Sequence, residues 1–337
     1  MNEDLMRAIG FDTPGDPEVL TVREVPRPLP VEKHVRIKVA AAGVNRADTL
    51  QRRGKYPPPP GASLIPGLEV SGIIDVVAKG CWKWKPGDRV MGLLSGGGYA
   101  EYAIMHEDMV MAVPDTLNLL HAAAIPEVFL TAYQSTVWLA HLQARETILI
   151  HAGASGVGTA AIQLALALDA VPIVTASKEK HDLCNQLGAR AMIDYKTMDF
   201  AAEVKNITNE NGVDVIIDFI GAPYFKKNIE LLRTDGRLVL LAAMGGTKVE
   251  ECNLGNILMR RISVMGSTLR ARTINYQIRL SNEFWKFARP LFEDGSLRPV
   301  IDTILPFEDV AKAHHLIEEN KTAGKIVLRM NDSLMHN

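Results

Sequence analysis

Cysteine is scarce in this chain. Only Cys81, Cys184 and Cys252 occur among its 337 residues, far apart from one another. No two have metal-ligand spacing, and an odd number of isolated thiols argues against a disulfide framework. A reduced compartment is expected, and a cytoplasmic location with it. Glu3 and Asp4 stand where a secretory leader would need a basic and then an apolar stretch, so the sequons at Asn206 and Asn331 are expected to be unused. An excess of charge is missing too. The formal net charge is −2, so no broad basic field gathers nucleic acid, and none is expected as a partner. Long hydrophobic runs are also absent. The most apolar region, residues 160–174, is broken by Gln163, Asp169 and Pro172, which excludes a membrane span. What remains is an ordinary globular balance, 47% hydrophobic and 23% charged, long enough for about two domains.

Residues 1–125 read as mostly β. Short β-branched or alternating runs occur at Val19–Val25, His34–Ala42, Val70–Ala78, Asp88–Leu93 and Tyr99–Met105, separated by Gly- and Pro-rich turns. A small barrel-like domain follows from this. Residues 126–268 alternate strand and helix. The strands are expected at Thr147–His151, Val171–Thr175, Ala191–Asp194, Val213–Phe219, Arg237–Ala243 and Ile262–Ser267. Helices are expected near Gly156–Asp169, Lys178–Leu187, Asp199–Thr208, Pro223–Leu232 and Asn253–Arg260. Nearly continuous apolar strands with helices between them predict an α/β fold with a doubly wound parallel sheet. Residues 269–337 form a segment whose own core would be marginal, so they are expected to pack back onto the N-terminal domain.

Glu146 to Leu168 is the most informative stretch. Ile148-Leu149-Ile150 leads into Gly153-Ala154-Ser155-Gly156-Val157-Gly158, and apolar residues at helical spacing follow. Strand, small-residue loop and helix form the context for a dinucleotide pyrophosphate, which the backbone approaches closely and the helix N-terminus favours. The register is Gly153-x-Ser155-x-x-Gly158, with serine in place of the middle glycine. After the next strand comes Ala176-Ser177-Lys178-Glu179-Lys180, with no acid at the strand end to receive ribose hydroxyls. A hydroxyl and two lysines suit a 2′-phosphate, hence NADPH. The alternative is an N-cap serine before a solvated charged turn. Gly221, Met244 and Gly245 fall in turns at the carboxyl edge of the expected sheet, where ligands of such folds bind. Tyr195, just past the third strand, could cover an adenine face.

These segments resemble the medium-chain dehydrogenase/reductase superfamily, in its quinone oxidoreductase, zeta-crystallin-like branch. The resemblance runs from about Arg7 to Leu328. It includes Asn45-Arg46-Ala47-Asp48, Gln51 to Gly61, Gly96-Gly97-Gly98, Ala124-Ile125-Pro126-Glu127, His151 to Gly153, Ser155 to Gln163, Asp194-Tyr195-Lys196, Met244-Gly245-Gly246 and Gly324 to Leu328. It implies a GroES-like β-barrel catalytic domain from residues 1–125 and 269–337, a Rossmann domain from residues 126–268, a cleft between them, NADPH as cofactor and a homodimer. The family's phosphate-side positions fall on Ser177 and Lys180, and its adenosine side on Tyr195. Its loop falls on Ala154, Ser155, Gly156, Val157 and Gly158. Its nicotinamide side falls on Asn45, Tyr56, Thr131, Met244, Gly245, Ser267, Leu269 and Arg270. The strand-two turn departs from the pattern, since relatives often have a glycine between Ala176 and Ser177.

Zinc-dependent relatives carry a cysteine where Asn45 stands, a histidine where Leu68 precedes Glu69, and a four-cysteine lobe. None of these is present, so no metal is expected. His151, His181, His314 and His315 form no ligand pattern, and surface or capping roles are expected for them. Without a metal to polarise a carbonyl, a quinone is the expected small-molecule substrate, because it takes hydride directly. Asn45 and Tyr56 are the catalytic candidates, positioned to hydrogen-bond the acceptor oxygen or the nicotinamide amide. An enone or alkenal reductase on the same scaffold is the alternative. A non-catalytic NADPH-binding relative, structural or RNA-binding, is the reading from a different class.

Overall fold

The structure, a computed structural model, describes residues 4–330 and 334; Glu3 and the sequon at Asn331 lie outside them. The chain divides into two units, Met1–Leu130 with Leu269–Asn337, and Thr131–Thr268.

The first unit opens with strands β1 (Leu5–Gly10), β2 (Thr21–Pro26), β3 (His34–Val44), β4 (Glu69–Val77), β5 (Arg89–Leu93), β6 (Tyr102–His106) and β7 (Met111–Ala112). Helix α1 (Arg46–Arg52) lies between β3 and β4, and α2 (Leu119–Ala122) and the start of α3 (Pro126–Tyr133) follow β7. The pairing centres on β3, which lies antiparallel to both β4 and β6. Its burial shows how the sheet is covered. From His34 to Val39 alternate residues are buried, as for a strand with one wet face, whereas Ala40 to Val44 are all buried. Small side chains allow this, since Ala41 packs with Ala123, Ala124 and Val327 in one cluster.

The second unit is a parallel sheet. Its strands are β8 (Thr147–Ile150), β9 (Val171–Thr175), β10 (Ala191–Ile193), β11 (Val213–Asp218), β12 (Leu232–Leu240) and β13 (Ser263–Gly266). Their order is β10-β9-β8-β11-β12-β13, with every pairing parallel. Helices α4 (Gly156–Ala167), α5 (His181–Gln186), α6 (Phe200–Ile207), α7 (Ala222–Leu231) and α8 (Leu254–Met259) connect them. Ile148, Leu149, Ile150, Val215, Ile216 and Ile217 are all fully buried, as strands covered on both faces require. The order reverses beside β8, which is the switch point where ligands of such sheets bind.

The chain then returns to the first unit through α9 (Ile274–Glu293), β14 (Ile301–Pro306), α10 (Val310–Glu318) and β15 (Lys325–Arg329). Helix α9 buries Leu280, Phe284, Ala288 and Phe292, a stripe at i, i+4 spacing, and Phe292 meets Phe129 edge-on at 5.1 Å. Strand β15 pairs antiparallel with the end of β3. The C-terminal segment thus shares a core with the N-terminal one.

The expected α/β architecture is present, and several elements differ in detail. The run expected at Val19–Val25 is strand only from Thr21, because Pro17 starts a 3-10 turn, and β1 is an additional partner. Helix α1 breaks the β-rich region. The helix expected from Lys178 begins as a 3-10 turn, Lys178–Lys180, and becomes α-helical at His181.

Candidate active site

In the Thr131–Thr268 unit, chain direction gathers the expected residues. Because all strands run the same way, the turns after β8, β9, β10, β11, β12 and β13 share one edge of the sheet. Ala154 to Gly158 follow β8, Ser177 and Lys180 follow β9, and Tyr195 follows β10. Gly221 follows β11, Met244 and Gly245 follow β12, and Ser267 follows β13. Main-chain bonds tie adjacent turns together: Gly153 N–H donates to Thr175 O at 2.9 Å, Gly245 N–H to Ile220 O at 2.8 Å, and Ser267 N–H to Leu240 O at 3.0 Å.

The loop after β8 has little room for side chains. A Cβ on Gly158 would lie 2.6 Å from Gly153 O, and one on Gly153 would lie 2.5 Å from the Val174 Cβ. Real side chains do not fit at either position, so the backbone itself forms the surface of the turn. Ser155 caps α4, its Oγ accepting from Gly158 N–H at 3.1 Å. Ala154 and Gly158 are buried, whereas Ser155, Gly156 and Val157 are partly exposed. A helix N-terminus bare of bulk at a sheet's switch point fits a pyrophosphate.

Beyond β9, Ser177 occupies an N-cap position but makes no capping bond. Its hydroxyl engages Glu179, which its own main-chain N–H, Ser177 and Lys196 together hold at about 2. Lys196 Nζ lies 3.1 Å from Glu179 Oε1. Glu179, the acid within this turn, is therefore paired with a lysine from beyond β10. Tyr195 is exposed, Thr131 partly exposed on α3, and Met244 exposed.

His151 and its partners brace the same edge from below. His151 Nε2 meets Asn228 Oδ1 at 2.8 Å and Nδ1 meets Thr175 Oγ1 at 3.1 Å. Asn228 Nδ2 in turn donates to Asp218 Oδ2 at 3.2 Å, and Asp218 Oδ1 accepts from Ile220 N–H at 2.6 Å. Burial lowers His151 to about 4, so it is neutral near pH 7. The surface or capping roles expected for the histidines are corrected here. His151 and His314 are fully buried, and His181 is buried with Nε2 against Ala176 O at 3.0 Å. Only His315 keeps an exposed contact, with Glu18.

In the other unit a set of buried charges surrounds Asn45. Asn45 stands at the N-cap of α1, where its side chain and Asp48 form a capping box. Its amide is engaged at both ends. Nδ2 donates to Glu69 Oε1 at 2.9 Å, and Oδ1 accepts from Lys325 Nζ at 2.5 Å. Lys325 also pairs with Glu69 Oε1 at 2.8 Å and donates to Val44 O at 2.8 Å, with both charged side chains almost wholly buried. Gly43 makes room for this carboxylate, since a Cβ there would collide with Glu69 Oε1 and lie 2.6 Å from Ala123 O.

Asp48 extends the network. Its Oδ2 accepts from Asn45 N–H at 2.8 Å and from Tyr99 OH at 3.0 Å, and its Oδ1 accepts from Gly67 N–H at 3.2 Å. Burial pushes its carboxyl up to about 6 despite these bonds. Behind Tyr99 stands His314, whose Nε2 is 3.5 Å from the phenol oxygen and whose Nδ1 is 3.3 Å from Arg52 Nη1. Arginine can only donate. Nδ1 is therefore the acceptor, Nε2 carries the proton, and the Tyr99 proton is left for Asp48.

Tyr56 and Arg270 complete this side. Arg270 donates to Gln51 Oε1 at 2.7 Å, Ser95 O at 2.9 Å and Tyr56 O at 3.3 Å, and its guanidinium lies 5.5 Å from the Tyr56 ring centre. The Tyr56 hydroxyl makes no hydrogen bond among the described residues. Burial and the nearby Glu127 raise its pKa. Leu269 is buried, its carbonyl accepting from Gln277 Nε2 at 3.0 Å. Sequence reasoning did not single out Asp48, Tyr99, Glu127 or Lys325. The available signal was charge inside apolar runs, as in Leu68-Glu69-Val70 and Lys325-Ile326-Val327-Leu328. No group of three or more His, Cys, Asp or Glu among the described residues is placed to hold a metal ion.

Comparison with known proteins finds two family matches along the chain. The family described as alcohol dehydrogenase GroES-like domain matches residues 31–115, and the one described as zinc-binding dehydrogenase matches residues 156–283. The quinone oxidoreductase of Homo sapiens is 33% identical over 97% of this chain and 98% of its own length, and that of Lama guanicoe is 36% identical over 96% and 97%. Among solved structures, the CurK enoyl reductase superposes with a TM-score of 0.86 at 27% identity, covering 97% of this chain and 99% of its own. The quinone oxidoreductase from Coxiella burnetii gives 0.80 at 28%, covering 97% and 100%. The chain therefore belongs to the medium-chain dehydrogenase/reductase superfamily, in its quinone oxidoreductase branch, a group of oxidoreductases that use a nicotinamide cofactor.

Proposed function

We propose that this chain is an NADPH-dependent quinone reductase that works without zinc. The observation that carries the reading is Lys325 Nζ at 2.5 Å from Asn45 Oδ1. A divalent cation bound through Asn45 would face a buried ammonium, so the donor set does not suit one. The reaction then has to be one that needs no Lewis acid on a carbonyl. Quinones meet that condition, because charge arriving with a hydride spreads over the ring to oxygen. The relatives named quinone oxidoreductases support the same substrate class.

NADPH supplies the hydride when bound. Ala154, Ser155, Gly156, Val157 and Gly158 would hold its pyrophosphate, Ser177 and Lys180 its 2′-phosphate, and Tyr195 its adenine. The turns at Gly221, Met244–Gly245 and Ser267 would carry its nicotinamide side. Asn45, held rigid between Lys325 and Glu69, and Tyr56, with its free hydroxyl, would orient the acceptor. Positioning and fixed dipoles supply most of the rate in such a site. The reading includes a homodimer and a cytoplasmic location. Strand β13 is a sheet edge, and Leu254, Leu258 and Met259 of α8 are exposed beside it in sequence. No helix among the described residues is long and apolar enough to cross a membrane.

The test is steady-state turnover of the purified protein with NADPH on ortho- and para-quinones and on enones. Quinone turnover is expected, and light scattering on the same sample should give twice the chain mass. No turnover on any quinone would contradict the reading. Rates on enones above those on quinones would favour the second reading, a double-bond reductase, which the likeness to the CurK and JamJ enoyl reductases supports.

A further inference from the structure

We propose that Lys196 is a second cation of the 2′-phosphate site, held in reserve by Glu179, and that this pair tunes the choice between NADPH and NADH. This rests on the NADPH reading above. The two turns concerned lie in one unit, Thr131–Thr268, and are locked side by side. Ala176 N–H, just past β9, donates to Ile193 O at the end of β10 at 3.0 Å. On the first turn, Lys180 N–H donates to Ser177 O at 2.9 Å. On the second, Asp194 braces the base of Lys196. Its Oδ1 accepts from Lys196 N–H at 3.1 Å, and its Oδ2 accepts from Thr197 Oγ1 at 2.9 Å.

Glu179 joins the turns through side chains. Its carboxylate accepts from the Ser177 hydroxyl, and Lys196 Nζ donates to its Oε1 at 3.1 Å. Ser177 is buried and makes no capping bond, so its hydroxyl is committed to Glu179 instead. A serine hydroxyl has one proton to donate. It cannot serve this carboxylate and a phosphate at once. A phosphate that takes the Ser177 proton therefore displaces Glu179, and the group that loses its partner in the exchange is the Lys196 ammonium.

The balance of charge favours the exchange. The side chains of Lys196 and Glu179 are 52% and 60% exposed, and an ion pair so open to water parts at little cost. A phosphate monoester carries about two negative charges against one on the carboxylate, and it accepts charge-assisted hydrogen bonds from several donors together. NADH makes no such demand. Its ribose hydroxyls are donors, and Glu179 is an acceptor as it stands, as in sites that read the ribose through an acid. The pair stays closed for NADH and opens for NADPH, so Lys196 adds affinity for the phosphorylated cofactor alone.

The experiment is calorimetric titration of NADPH and of NADH into wild type, Lys196→Ala, Glu179→Gln and the double variant. Both substitutions are at exposed positions, and NADH binding reports that each variant is folded. Lys196→Ala should weaken NADPH about tenfold and leave NADH unmoved. Glu179→Gln should tighten NADPH by about two- to fivefold without tightening NADH, because no ion pair has to open. For the same reason Lys196→Ala should cost more NADPH affinity in the Glu179→Gln background than in wild type. A wild type that prefers NADPH, with Lys196→Ala binding NADPH equally well or losing both nucleotides to the same degree, would overturn the proposal alone. Equal losses in the two backgrounds would also overturn it, since Glu179 would then hold nothing in reserve. A wild type that binds neither nucleotide, or both alike, would overturn the NADPH reading and the proposal with it.

Discussion

The two units arrange their polar groups in opposite ways. Around Gly153 to Gly158 the second unit uses backbone: glycines without room for a Cβ, a helix N-terminus, and strand ends joined by main-chain hydrogen bonds. Around Asn45 the first unit uses side-chain charge: Glu69, Lys325 and Asp48, drawn from three elements and taken out of water. A backbone cradle gives affinity for phosphate with little dependence on pH. A buried charge cluster gives orientation and stored protons, and it depends on every member, since removing one partner leaves the other uncompensated.

The largest expected effect tests that dependence. Lys325→Met should destabilise the protein by about 3–5 kcal/mol, because Glu69 would stay fully buried without its ion-pair partner. Adding Glu69→Gln should recover much of the loss, measured as urea midpoints of both single variants and the double variant. If the two losses simply add, the pair is not coupled and the contrast between the units fails. A smaller effect is expected on the other side. Gly158→Ala forces a Cβ to 2.6 Å from Gly153 O, which should cost about 1–3 kcal/mol and abolish NADPH binding. Retained binding in that variant would show that the cradle is not where the cofactor lies.

The same contrast explains what could be read in the sequence. The strand, loop and helix from Thr147 to Ala167 were legible because the motif is local and its residue types follow from backbone geometry. The parallel sheet followed from repeated strand and helix patterns. The charge cluster was not legible as a whole. Asn45 could be named, but Lys325 lies 280 positions away, and nothing local shows that the two meet. His151 and His314 were misplaced for a related reason. A lone histidine carries no periodic signal of burial, and its partners Asn228 and Tyr99 come from distant segments. Strand β1 was missed because its partner β2 supplies the regularity that its own six residues lack.

The central claim is that the sheet edge after β8 and β9 binds NADPH, with the 2′-phosphate at Ser177 and Lys180. Calorimetric titration of wild type and Lys180→Ala with NADPH and with NADH tests it most directly. The account predicts a large preference for NADPH in wild type, reduced roughly tenfold or more in the variant, as the loss of one charge-assisted hydrogen bond to phosphate implies. Equal affinity for the two cofactors, or no binding of either, would contradict it.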